Sequence, residues 1–323
     1  MKIARILLIA IIAVSPLLCE AAEIVFCGNS DNQFDLYRAD LKSGQISRLT
    51  DTDAEELMPA VSPDGQRLVF VSDRDGANSL YMMSLSGTAT VPTNISAGVG
   101  AYANPAFSPD GSRIAVQYAP DPELVYASTS IVLLDPDARV QQTLVDSISL
   151  KTSGNSETTT LVDRPVWVSD SLLVYVLAEY SDPEVGRLSK STLYMYDLKK
   201  QQHIRVAGGE SYYSFEGEPM GFKAVMPSVI VEQDVSRSLL FTAIRGATDR
   251  EPMKIVLPGG EKGVIGLSDP EFFGPMLYID ACWIYGIMNS EGSTGLAWRA
   301  DDGKAAKQIL DFSGRIIFPA IIR

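Results

Sequence analysis

The sequence predicts an all-β fold: a six-bladed β-propeller whose C-terminal strand closes its N-terminal blade. Three observations carry that expectation. A short signature recurs along the chain: Pro59-Ala60-Val61-Ser62-Pro63-Asp64-Gly65 returns as Pro105-Ala106-Phe107-Ser108-Pro109-Asp110-Gly111 and, more loosely, as Pro165-Val166-Trp167-Val168-Ser169-Asp170-Ser171. Each copy is followed by short β-branched and aromatic runs bounded by Gly, Pro, Asp and Ser. The chain ends on Pro319-Ala320-Ile321-Ile322-Arg323, which repeats only the start of the signature.

Taken in chain order, Lys2 and Arg5 precede an apolar run from Ile6 to Leu18, followed by the small residues Ala21 and Ala22. A short basic region, a short apolar region and small residues make a secretory signal, and the run is shorter than the roughly 20 residues of a membrane span. Residues 1–21 are therefore expected to be a signal peptide, with cleavage after Ala21 or Ala22. Leu17-Leu18-Cys19 offers the alternative of a lipoprotein signal, in which lipidated Cys19 would anchor the protein to a membrane. The destination is periplasmic or secreted in either case.

From residue 22 the repeats organise one ring, 22–323. Ser-Pro-Asp-Gly suits a tight turn, because proline presets φ, Asp bonds nearby backbone and Gly relieves the exit. Second-strand runs follow at Leu68–Ser72, Ile114–Tyr118, Leu172–Val176 and Leu239–Thr242, and third-strand runs at Leu80–Met82, Ile131–Leu134, Leu193–Tyr196 and Met253–Val256. Four short strands per unit is the pattern of a propeller blade. Units start at 59, 105, 165, 227 and 275. The segment before them opens directly on a second strand, Glu23-Ile24-Val25-Phe26-Cys27, and lacks a first. The orphan at the chain end supplies it. The expected blades are 23–58 plus 319–323, 59–104, 105–164, 165–226, 227–274 and 275–318.

Composition narrows the function classes. The formal net charge of −13 repels phosphate backbones and argues against nucleic acid as a partner, favouring a protein or a cationic peptide. Of the three cysteines, Cys27 and Cys282 fall at opposite ends of their strands, on the order of 15 Å apart. A disulfide needs Cα atoms within about 7 Å, so both are expected to be buried free thiols.

Catalytic signals are sparse. A Ser-His-Asp triad would have to use His203, the one histidine, which falls beside Lys199 and Lys200 in an expected exposed turn. One histidine cannot make a metal-binding cluster, and a Gly-x-Ser-x-Gly elbow is absent. The acidic turn residues Asp73, Asp75, Asp135, Asp137, Asp301 and Asp302 lack the spacing of a calcium loop. No cofactor, metal or catalytic residue is therefore expected. The alternative to a non-enzymatic binder is a carbohydrate-active or other propeller enzyme with two carboxylates about 5–10 Å apart, for which Glu179, Glu210, Glu216 and Glu218 are the candidates.

Connections say where binding would occur. Segments 119–128 and 146–164 in blade 3, and 179–191 and 207–224 in blade 4, read as long loops on one face, and connections beyond the usual 2–6 residues are often functional. The expected partner-binding set is Glu210, Tyr212, Tyr213, Phe215, Glu216, Glu218 and Phe222, joined by Tyr126 and Tyr180. Aromatics with carboxylates suit a cationic or amphipathic peptide, or sugar rings. First strands line the channel with Val61, Phe107, Trp167, Val229, Leu277 and Ile321, a lining more apolar than charged.

Ser62-Pro63-Asp64-Gly65, then Leu68-Val69-Phe70-Val71-Ser72-Asp73-Arg74-Asp75-Gly76, then Leu80-Tyr81, together with Phe34-Asp35-Leu36-Tyr37 and Arg48-Leu49-Thr50-Asp51, resemble the repeat of the TolB-type propellers (WD40-like, PD40). The match is specific in the first three units and weakens towards the last two. The resemblance implies a propeller, secretion and binding of a protein or peptide partner, an envelope lipoprotein among them. TolB-type proteins carry an α/β domain ahead of the propeller, whereas here the propeller pattern starts directly after the signal.

Overall fold

The computed structural model describes residues 23–322 except 31–32, 88–90, 123–127, 136, 138–140, 148–158, 183–186, 214–215, 217–218, 232–236, 247–248, 258–261, 266–268, 280 and 301–306. These residues form six antiparallel sheets. Blade 1 opens with β1 (Glu23–Asn29), β2 (Phe34–Asp40) and β3 (Ile46–Arg48); blade 2 is β4 (Glu56–Val61), β5 (Arg67–Ser72), β6 (Ser79–Ser84) and β7 (Thr93–Asn94). Blade 3 is β8 (Ala101–Phe107), β9 (Ile114–Ala119), β10 (Ser130–Leu134) and β11 (Gln141–Asp146). Blade 4 is β12 (Thr159–Ser169), β13 (Leu172–Asp182), β14 (Arg187–Asp197), β15 (Gln202–Tyr213) and β16 (Pro219–Gly221). Blade 5 is β17 (Lys223–Val231), β18 (Arg237–Arg245), β19 (Asp249–Leu257) and β20 (Lys262–Val264). Blade 6 is β21 (Phe272–Ile279), β22 (Cys282–Met288), β23 (Thr294–Ala300) and β24 (Gln308–Ile309). The last strand, β25 (Arg315–Ile322), returns to blade 1 and pairs with β1, with Ile24 opposite Ile321 and Cys27 opposite Ile317. The ring is thus closed by its two ends, and β1 is not left as an open sheet edge.

The apolar runs are continuous, as in Leu68-Val69-Phe70-Val71, because each blade is covered on both faces. Successive side chains point to opposite faces of a strand. Leu68 and Phe70 pack towards blade 1, while Val69 and Val71 pack towards blade 3. Among the described residues the buried apolar side chains fall into six clusters, one in each interface between neighbouring blades. The closing interface, between blades 6 and 1, gathers Ile24, Phe26, Ile284, Leu296 and Ile316.

The Ser-Pro-Asp-Gly turns have a common build. Gly65 N donates to Ser62 O (2.9 Å) and Gly111 N to Ser108 O (2.8 Å), and both glycines are left-handed, at φ 70° and 71°. Arginines two positions after these glycines tie blade to blade. Arg67 Nη2 donates to Gly111 O of blade 3 (3.0 Å) with its guanidinium 5.4 Å from the Phe107 ring. Arg113 Nη2 donates to Asp170 O of blade 4 (2.6 Å), 5.0 Å from the Trp167 ring.

Two expectations need correction. Segments 179–191 and 207–224 of blade 4 are in large part strand and not loop: Glu179 pairs with Lys190, Tyr180 with Leu188 and Lys190 with Glu210. The strands run on because Tyr180, Leu188, Val206 and Phe222 find apolar cover against the core between blades 4 and 5. Cys27 is a buried free thiol, whereas Cys282 is disulfide-bonded. The two are not joined to each other, in keeping with their spacing.

Candidate functional site

The site is built by one repeated backbone event. In every innermost strand the residue before the proline has a left-handed φ: Met58 (55°), Asn104 (51°), Arg164 (49°), Met226 (52°), Gly274 (91°) and Phe318 (49°). The ladder slips at the same place in each blade. Leu57 pairs with Val71 but Ala60 with Val69, and Asp163 pairs with Val176 but Val166 with Val174. One extra residue against the partner strand is a β-bulge. Proline fits there because it has no N–H to give the ladder. A non-glycine residue held at positive φ costs on the order of 1–2 kcal/mol, and such outliers gather where backbone geometry serves a site. Five of the six positions here carry that cost, and all six circle one axis.

Five of them, Met58, Asn104, Arg164, Met226 and Phe318, form the floor of a cavity of about 390 Å³ on the ring axis. Its walls run from these five pre-proline positions to the Ser62-Pro63 and Pro109 turns, so it reaches the face carrying those turns. Val61, Phe107, Trp167, Leu277 and Ile321 line it, as the sequence suggests for first strands; the Val229 side chain lies outside the described residues. Pro59, Pro105, Pro165, Pro227, Pro275 and Pro319 complete a rigid apolar wall.

Arg164 is the one charged residue of that lining. Its Nε donates to Asp163 Oδ2 (3.3 Å). Asp163 is held in turn by Asn104, whose Nδ2 donates to Asp163 Oδ1 (2.7 Å) and to Gln117 Oε1 (3.0 Å). The Arg164 guanidinium lies 5.9 Å from the ring of Phe318. Arg164 belongs to blade 4 and Phe318 to the closing strand of blade 1, on opposite sides of a six-bladed ring, so the pair spans the axis.

The expected loop-face residues fall elsewhere. Glu210 and Glu216 are exposed. Phe222 is half-buried, stacked on Phe241 (6.0 Å) with Arg245 over it (5.3 Å), and Tyr180 packs on the same inter-blade core. Tyr126, Phe215 and Glu218, and the side chains of Tyr212 and Tyr213, lie outside the described residues. Glu179 is engaged by Lys190 Nζ (3.1 Å). His203 sits in β15 opposite Tyr196, not in a turn. Its Nδ1 is 2.9 Å from the buried Tyr175 hydroxyl, and partial burial lowers its pKa below 6.5. Of the acidic turn residues, Asp75 accepts from Asn94 Nδ2 (3.0 Å) and the Tyr81 hydroxyl, and Asp73 accepts from Glu55 N (2.9 Å). Asp301 and Asp302 lie outside the described residues.

The pre-proline residues are what sequence reasoning missed. Their signal was present, since each stands immediately before the proline that marks a unit. Simple strand alternation could not give their orientation, because the bulge interrupts it.

Comparison with known proteins agrees with the repeat. Residues 13–156 match the PD40 family model, the TolB beta propeller domain. A curated relative, the uncharacterized protein Atu1656 of Agrobacterium fabrum, is 30% identical over 95 residues, 29% of this chain and about a third (32%) of its own length. Among solved structures, TolB from Acinetobacter baumannii superposes with a TM-score of 0.67 at 16% identity, covering 93% of this chain and 66% of that one. The hydrazine synthase of Kuenenia stuttgartiensis superposes at 0.65 and 10% identity, over 94% of this chain and 47% of that one. At these identities the superpositions show the propeller fold, and one fold that serves such different proteins does not fix the function.

Proposed function

We propose that this TolB-like β-propeller is a non-enzymatic binding scaffold of the cell envelope that takes up a segment of a protein or peptide partner on its ring axis. The observation that carries this reading is the cavity itself. Pockets that hold ligands are concave, mostly apolar and sparing in polar groups, and 390 Å³ lies at the small end of their range. Proline walls and bulged strands make it preformed, which lowers the ordering cost of binding. Export by residues 1–21 would deliver the protein to the periplasm or outside the cell. The exposed Glu210 and Glu216 over blades 3 and 4 are proposed as a second contact for the same partner.

A photo-crosslinking side chain in place of Leu277 tests the axis. It should give a discrete polypeptide adduct in intact envelopes, and M226W, which fills the cup, should abolish it. An adduct indifferent to M226W would remove the axis from the reading. Glu210→Ala with Glu216→Ala tests the second surface, and unchanged adduct yield would remove that contact.

A further inference from the structure

Among the described residues that line the cup, one is charged, and it sits on the floor. The other five pre-proline positions hold neutral side chains: Met58, Asn104, Met226, Gly274 and Phe318. Arg164 alone is cationic, in a chain of net charge −13. Its Nε is occupied by Asp163, and Asp163 is fixed by Asn104. Neither Nη atom has a hydrogen-bond acceptor among the described residues. The guanidinium is therefore oriented from behind, braced against Phe318, and offers its two-pronged end to the axis. With Arg164 30% exposed and Asp163 24% exposed, the pair is partly withdrawn from water without being sealed.

A planar fork with two unbonded N–H pairs matches the two oxygens of a carboxylate. The walls leading to it are proline, aromatic and aliphatic. We infer that Arg164 selects a carboxylate carried at the end of an apolar chain, the chain lying along the proline walls and the carboxylate bridging the two Nη atoms on the axis. This rests on the axial binding reading above and names the chemistry that site prefers. Arg164 is the specificity-determining residue, and Asp163 and Asn104 are positioning residues that hold its Nε. A peptide ending in its own carboxylate and a free aliphatic acid share this chemistry.

The test uses N-acetyl-Leu-Ala-Phe as the free acid and as the C-terminal amide, titrated calorimetrically into the whole protein, with octanoate as a competitor. In the wild type the acid should bind about ten-fold or more tightly than the amide, the preference expected of a charge-assisted hydrogen-bonded pair. In R164Q the preference should fall to within about two-fold through loss of acid affinity, with the melting temperature retained as the control for folding. R164K should keep part of the preference, since lysine supplies the charge without the fork. Octanoate competing with the acid supports a site that reads the carboxylate on any apolar chain. Octanoate failing to compete supports one that also requires the peptide. Equal binding of acid and amide by the wild type, or a preference that survives R164Q, overturns the assignment while leaving axial binding intact. Absence of binding by either peptide up to millimolar concentration overturns both readings.

Discussion

Ile316 lies where the two ends of the chain meet, and its truncation measures how much the closing strand holds the ring. It is 4% exposed and packs with Ile24 and Phe26, both fully buried, and with Ile284 and Leu296 of blade 6. Ile316→Ala removes about three carbons from a filled interface. Such deletions cost about 2–5 kcal/mol, the spread reflecting how far the site collapses. Taking about 3 kcal/mol, and roughly 2 °C per kcal/mol for a chain of this size, the melting temperature should fall by about 6 °C. Ile131→Ala provides the control, since Ile131 is fully buried in the interface between blades 3 and 4. Both variants should melt early by calorimetry. Only I316A should also speed amide exchange in β1 at Ile24–Cys27, the residues that pair with or flank the closing strand. A loss under about 1 kcal/mol, or β1 exchange no faster than in I131A, would refute closure through β25 as a main support of the ring.

Three further outcomes follow from the same contacts. Arg113→Met keeps the side-chain stem but removes the bond to Asp170 O and the contact with Trp167, and should cost about 1–2 kcal/mol in chemical denaturation; a loss below about 0.3 kcal/mol would show that the tie carries no stability. Burial raises the pKa of the Cys27 thiol, so iodoacetamide at pH 8.5 should leave Cys27 unmodified in the native protein and modify it in urea, as read by peptide mass, with native labelling as the contrary result. The Ser108 hydroxyl, with Ser112, holds the Asp110 carboxyl down to about 2 from 3.8. A depressed folded pKa means stability present above about pH 4 and lost as pH falls towards 2; D110N should flatten that part of the melting-temperature profile, and an unchanged slope would exclude this carboxylate as its source.

Much of this architecture was legible because its causes are local. Proline, Asp and Gly at fixed offsets mark turns by their backbone chemistry, and the continuous runs Leu68–Val71 and Ile114–Val116 mark strands covered on both faces. The unmatched start at 319–323 could be assigned because a ring leaves no first strand unpaired. What escaped depends on neighbours. Strand extension in blade 4 follows from cover that blade 5 gives Tyr180 and Phe222, so Ser181-Asp182-Pro183 read as loop when seen alone. The orientation of Arg164 depends on a bulge that two-residue alternation cannot represent, and on Asn104 arriving from another blade.

The bulged position has one more consequence. A residue that opposes no partner in the ladder is not read by strand pairing, and five of the six line the axial cavity, Met58 and Phe318 while also packing against the inter-blade cores. Met, Asn, Arg, Met, Gly and Phe occupy the six equivalent places in one ring. The wheel can therefore be given a new lining at Asn104, Arg164 and Met226 without recutting its spokes, whereas Met58 and Phe318 also serve the packing and Gly274 is fixed, since a Cβ there would meet Thr242 Oγ1 at 2.5 Å.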